Sequence, residues 1–307
     1  MTDLTSPRGE SRRRRWQSLL ITLSAIGLYG FIRLLPASGD HLNYTDFQAG
    51  GAAVHDFCEP GSASFVPVQA VRSPVSLTLF PESPLETGRT SRVRAQLETA
   101  SGRPLKVEDL LVVHTRKLHL LVSDPSLDDY QHLHPEPTGV PGEFLFSFNP
   151  RLSGLYQVYA DFMPRATGRG LYAGSDLEVA GEAAAPLPVA SLAAVAGGCR
   201  FRLTSSSQPI RINETVTLTL NIAGIDGSVP QLETIMDAYA HMVAFDFARQ
   251  GFAHLHPREL DPLPGDGASL ELSFSLNLPD PGWYRVWAQV LIAGEEVFAP
   301  FTLEVLP

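Results

Sequence analysis

Only two cysteines, Cys58 and Cys199, occur in 307 residues, and no Cys-x-x-Cys spacing is present. A thioredoxin-type redox motif and a cysteine zinc ribbon are therefore excluded. One pair can form a disulfide outside the cytoplasm or remain two thiols, and the sequence leaves both readings open. Gly-x-Ser-x-Gly, His-Glu-x-x-His and a phosphate-cradling glycine loop are missing as well, so the common hydrolase and nucleotide signatures are absent. Charge is sparse, with 18% Asp, Glu, Lys and Arg, and the net balance is −10. The first 40 residues hold six arginines against Asp3, Glu10 and Asp40; the remainder carries 17 basic and 30 acidic side chains. An acidic body of this kind repels phosphate backbones, so no nucleic-acid partner is expected.

What is present points to a β protein behind a basic N-terminus. Residues 1–15 form a basic tail ending in Arg12-Arg-Arg-Arg15, followed by 17 uncharged residues from Trp16 to Ile32. Residues 16–36 read as a single transmembrane anchor or a cleaved signal sequence, at the lower length limit for a span. The positive-inside rule then puts the arginines in the cytoplasm, and the bulk of the chain in the periplasm or outside the cell. Residues 37–73 read as an extended linker in which His41 and His55 are ordinary solvated residues.

From Val75 the apolar pattern alternates. Val75–Phe80, Ser91–Leu97, Leu110–His114, Lys117–Ser123, Gly142–Phe148, Gly154–Asp161 and Tyr172–Val179 are candidate strands, separated by Gly- and Pro-rich turns. After a linker at 182–198 the plan recurs as Arg200–Leu203, Glu214–Leu220, Tyr239–Phe245, Leu270–Leu276, Gly282–Gln289 and Glu296–Val305. About seven short strands per unit suit an immunoglobulin-like β-sandwich. The expected fold is all-β, with sandwich repeats at 74–181 and 199–307. Gly154 with Tyr156, and Gly282 with Tyr284, loosely resemble a tyrosine corner.

The repeats share a histidine pattern. His119 and Asp124 precede His132-Leu-His134-Pro135; His241 and Asp246 precede His254-Leu-His256-Pro257 at identical spacing. Six of nine histidines in two superimposable triplets point to a duplicated domain. Residues two apart on a strand share a face, so each His-x-His pair can converge with the first histidine across a hairpin. Three neutral imidazoles suit zinc or copper. Asp124 and Asp246 are candidates for a fourth ligand, a tautomer-fixing partner or a turn cap. His114 and its counterpart Met236 are both copper-competent, whereas Met242 and Met163 read as packing. The competing reading is a structural histidine cluster in an envelope interaction module. Asp161 becomes Gln289 and Glu136 becomes Arg258 between the copies, so no consistent base accompanies the histidines. Binding is expected rather than turnover.

The His-Leu-His-Pro segment, the following Gly-x-Tyr-x-Val-Tyr/Trp-Ala strand and the closing Phe301-Thr-Leu-Glu-Val305 resemble uncharacterised bacterial exported β-sandwich proteins. The likeness extends in outline to YtkA-like and periplasmic copper-resistance domains. It covers about 75–181 and 199–306. The resemblance implies a secreted or anchored module that handles copper or another heavy metal; an envelope protein partner is the expectation of the competing interaction-module reading.

Overall fold

The computed structural model describes residues 7–34, 42–47, 65–70, 72–183 and 188–307. Two compact units are present, residues 1–41 and 42–307. The first contains helix α1, Pro7–Leu34, whose apolar side chains Leu20, Ile21, Ile26 and Phe31 are exposed. Among the described residues no helix is long and apolar enough to cross a membrane. The uncharged stretch of 17 residues contains Gln17, Ser18, Thr22, Ser24, Gly27 and Gly30, and a span needs about 20 predominantly apolar residues.

The second unit is built of strands. The first repeat contains β1 (Val75–Pro81), β2 (Leu85–Glu86), β3 (Ser91–Thr99), β4 (Leu118–Ser123), β5 (Tyr130–Leu133), β6 (Glu136–Pro137), β7 (Glu143–Phe148), β8 (Gly154–Phe162) and β9 (Leu171–Ala180). Its two sheets run β1-β3-β7-β6 and β2-β9-β8-β4-β5. The second repeat contains β10 (Ala193–Ala196), β11 (Cys199–Ser205), β12 (Ile210–Arg211), β13 (Thr215–Gly224), β14 (Leu232–Glu233), β15 (His241–Asp246), β16 (Phe252–Leu255), β17 (Leu263–Pro264), β18 (Ser269–Asn277), β19 (Gly282–Ile292) and β20 (Glu295–Leu306). Its sheets run β10-β11-β13-β18-β17 and β12-β20-β19-β15-β16. Both repeats thus have the immunoglobulin arrangement of an A-B-E-D sheet facing a G-F-C-C′ sheet.

Each sandwich has its own core. Val93, Leu97, Phe144, Phe148, Leu120 and Val158 fill the first; Phe201, Leu220, Phe274, Met242, Val286 and Phe301 fill the second. The tyrosine corners form. Tyr156 Oη donates to Asp129 and lies 3.0 Å from the Leu152 carbonyl, and Tyr284 Oη donates to the Asp280 carbonyl at 2.9 Å. The preceding Gly154 and Gly282 have φ of 120° and 140°, and a Cβ on Gly154 would meet Pro125 and Ala183 at under 3 Å.

The apolar runs of β4 and β15 have a specific cause. All six residues of each strand are buried, because both faces are covered. Leu118, Leu120 and Val122 enter the first core, while Met242 and Ala244 enter the second. The alternate residues Leu121, Val243 and Phe245 join Leu127, Tyr130, Tyr159, Phe252 and Trp287 in a third cluster between the repeats. The C′-C-F faces of the two sandwiches therefore pack on each other. Polar contacts reinforce the seam: Trp287 Nε1 donates to the Leu127 carbonyl at 3.1 Å, Gln157 Nε2 to the Arg249 carbonyl at 3.1 Å, and Arg285 pairs with Asp128.

Three segments differ from the sequence reading. Leu110–His114 is not a strand; Leu110 makes a single bridge to Pro164, and Val113 one to Arg116 across a turn at His114-Thr115. The proposed linker at 182–198 contains β10, which extends the second sandwich by pairing with β11, and Leu192 packs on that core. The lead at 37–73 is partly structural. Leu42 and Phe47 enter the first core, Phe65 enters the second, and Val66 bridges to Phe252. Cys199 is buried and free. Cys58, His41 and His55 lie outside the described residues.

Candidate metal centre

The site begins with a turn. Val113–Arg116 and Ile235–Ala238 are two-residue reversals in which His114 and Thr115, and Met236 and Asp237, all have positive φ, as a type I′ turn requires. None of the four is glycine, so each carries some backbone strain. The turn aims a carbonyl at the first histidine of β4 and β15. His119 Nε2 lies 3.0 Å from the Val113 carbonyl, and His241 Nε2 lies 3.0 Å from the Ile235 carbonyl. A carbonyl can only accept, so both Nε2 atoms carry the proton and both Nδ1 atoms present a lone pair.

The hairpin registers bring in the other histidines. Leu121 pairs with His132 across β4 and β5, and Val243 with His254 across β15 and β16. Side chains alternate along a strand, so His119 and His241 share the faces of their His-x-His pairs. His132 Nδ1 lies 2.9 Å from Gln289 Oε1 of the second repeat. Gln289 Nε2 donates to Glu296 at 2.8 Å, which fixes the amide orientation, so His132 Nδ1 is the donor and Nε2 is free. His254 Nδ1 lies 3.2 Å from Asp161 Oδ2 of the first repeat, so its Nε2 faces inward.

The inward nitrogens have little else to bind. His134 Nε2, His241 Nδ1, His254 Nε2 and His256 Nε2 are buried without a hydrogen-bond partner. In the first set His119 Nδ1 and His132 Nε2 face each other at 3.2 Å. With their other nitrogens acting as donors, two lone pairs meet there, an arrangement that a cation between them would satisfy. Two imidazoles on a tetrahedral ion, with bonds of about 2.0–2.1 Å, have nitrogens about 3.3 Å apart. The ligand atoms of His119, His132 and His134 lie within 4.8 Å of one another, as do those of His241, His254 and His256.

Burial holds five of these rings neutral. Desolvation lowers the pKa of His119, and those of His132 and His241 well below the usual histidine range. It pushes His134 to about 3 and drives His256 strongly down. Neighbouring histidines add to these shifts. Neutral imidazoles are the form that ligates a metal, so proton competition is displaced to low pH.

The remaining sequence candidates fall outside the two sets. Asp124 is a loop cap. Its Oδ1 accepts from Asp128 N and Asp129 N at 2.8 Å each, and its Oδ2 from Ser126 N at 2.8 Å. Asp246 likewise accepts from Gln250 N at 2.8 Å and Gly251 N at 3.0 Å. Both carboxylates are consumed by turn backbone, so the capping alternative describes them. His114 leaves its own repeat: its ring centroid is 3.9 Å from that of His256 and 6.5 Å from that of His119. Burial pushes its pKa to about 4. Met236 is buried at the matching turn position.

Sequence reasoning set Asp161 and Gln289 aside because they differ between the copies. They occupy equivalent positions nonetheless, opposite His119 and His241 in the β4–β8 and β15–β19 ladders. The available signal was that shared position on the strand after the tyrosine corner.

The class is therefore a tandem immunoglobulin-like β-sandwich protein with a histidine triplet on each facing sheet. The chain belongs to the family described as a domain of unknown function (DUF8832), which matches residues 70–179 and 193–306. No curated protein matches it. Among solved structures, the fibronectin(III)-like modules of Clostridium thermocellum CbhA are 10% identical over 75% of this chain and 93% of theirs, at a TM-score of 0.21.

Proposed function

We propose that the two repeats bind copper or zinc, one ion on His119, His132 and His134 and one on His241, His254 and His256. The observation that carries this reading is the set of buried imidazole nitrogens without hydrogen-bond partners in two histidine triplets. An unsatisfied buried acceptor costs about 1–3 kcal/mol. A cluster kept for structure alone would leave several such penalties uncompensated, and a cation offsets them together. Imidazole ligands suit both metals, and the outline resemblance to copper-resistance domains favours copper. His119, His132 and His241 are only 3%, 6% and 1% exposed, which supports metal handling over turnover because a substrate must reach its ion.

The test is calorimetry on metal-stripped protein with Cu(II) and with Zn(II). About two equivalents are expected, and the paired changes His254→Ala and His256→Ala should remove one. The competing reading, an envelope interaction module with structural histidines, predicts that histidine substitutions lower the melting temperature equally with and without metal.

The arginine-rich start and the exposed apolar side chains of α1 support membrane attachment, with the sandwiches outside the cytoplasm. Recovery of the chain in the soluble fraction after cell lysis would contradict this placement.

A further inference from the structure

Each histidine set is completed from the other repeat, and the two completing side chains differ. Asp161 of the first repeat holds His254, and Gln289 of the second repeat holds His132. Both contacts are sheltered: the Asp161 and His254 side chains are 14% and 7% exposed, and Gln289 is 1% exposed. The sets also abut. Ring centroids of His132 and His254 are 5.7 Å apart, those of His132 and His241 6.2 Å, and those of His119 and His254 6.5 Å. Separations within a set run from 4.8 to 5.7 Å.

From this geometry we infer that the repeats form one two-ion centre with unequal halves, in which the His241–His254–His256 half fills first. The inference rests on the metal-binding reading above. A charged acceptor makes a hydrogen bond roughly twice as strong as a neutral one, and it raises the basicity of the opposite ring nitrogen. His254 has such an acceptor in the Asp161 carboxylate, whereas His132 has only an amide. The difference reaches a divalent ion through the histidine, because such partners of ligating histidines are worth about 10–100-fold in metal affinity. The first ion then opposes the second, since like charges among largely buried side chains repel more strongly than in water. Carboxylate and repulsion act in the same direction, so loading is sequential. Asp161 and Gln289 are positioning residues in this scheme: each acts through a histidine of the other repeat.

The experiment is competition binding of Zn(II) to the metal-stripped full-length chain, with a chelator of known affinity. The wild type should show two steps at least about tenfold apart, the tighter lost in His254→Ala and the weaker in His132→Ala. Asp161→Asn keeps an acceptor but removes the charge. It should weaken the tight step about 10–100-fold and bring the two together. It should also shift the visible spectrum of the first bound Co(II), which a purely structural change at that position leaves alone. If Asp161→Asn does not fold, the pair Gln289→Glu with Glu296→Gln moves a carboxylate to the other half and should tighten the weak step by a similar factor. Two equal steps in the wild type, or steps indifferent to these changes, overturn the unequal centre while leaving metal binding intact. Absence of any binding in the wild type overturns both.

Discussion

Asp161 and Gln289 stand at the same position in the two repeats, and each hydrogen-bonds a histidine of the opposite repeat. That exchange makes the seam between the sandwiches part of the candidate site. The same facing sheets carry an apolar cluster at Leu121, Tyr130, Tyr159, Val243, Phe245, Phe252 and Trp287. Apolar packing holds the two histidine sets in register.

Trp287 tests that dependence. Its indole packs against Tyr130 and donates to the Leu127 carbonyl across the seam. Trp287→Ala should cost about 3–5 kcal/mol in urea unfolding. It should also weaken binding at both histidine sets while leaving the number of ions per chain unchanged. A stable variant with wild-type affinity would separate the seam from the site.

Asp124 and Asp246 separate capping from ligation. Each carboxylate accepts from the backbone of the loop that follows it, so Asp124→Ala and Asp246→Ala should each destabilise the protein by about 1–2 kcal/mol. Metal content, measured by elemental analysis of the folded variants, should stay the same. Loss of an equivalent in either would make that aspartate a ligand.

Acid should destabilise the metal-stripped protein in a defined window. Histidines titrate near 6.5 in an unfolded chain, whereas burial holds His114 at about 4 and His134 at about 3. Their folded pKa values are depressed, so between these limits the unfolded state binds more protons than the folded state. The stability they allow is fully present above about pH 6.5 and is lost as pH falls towards 3–4. Melting temperature should therefore decline with falling pH across this range, and His114→Gln should flatten part of the slope. A flat profile between pH 6.5 and 4 would contradict the buried neutral rings.

Much of this was legible in the sequence, for identifiable reasons. Strand alternation at Ser91–Leu97 and Glu214–Leu220 reports a sheet with one covered face, and the duplicated histidine spacing reports hairpins with fixed register. The apolar runs at His119–Ser123 and His241–Phe245 do not say what covers the second face of their strands. Pairing across the seam joins residues about 90 to 160 positions apart, such as Asp161 with His254 and His132 with Gln289. No local period encodes such a contact. For that reason His114 looked like a ligand of its own repeat, whereas its ring lies beside that of His256. The same distance made Asp161 and Gln289 look like evidence against chemistry.

The most direct test of the central claim is the number of ions bound by the metal-stripped chain, set against a variant with all six histidines of the two sets replaced by glutamine. Two histidine sets predict about two equivalents of Cu or Zn for the wild type and none of comparable affinity for the variant. Equal, weak binding by both proteins would contradict a metal centre and leave the histidines as structure alone.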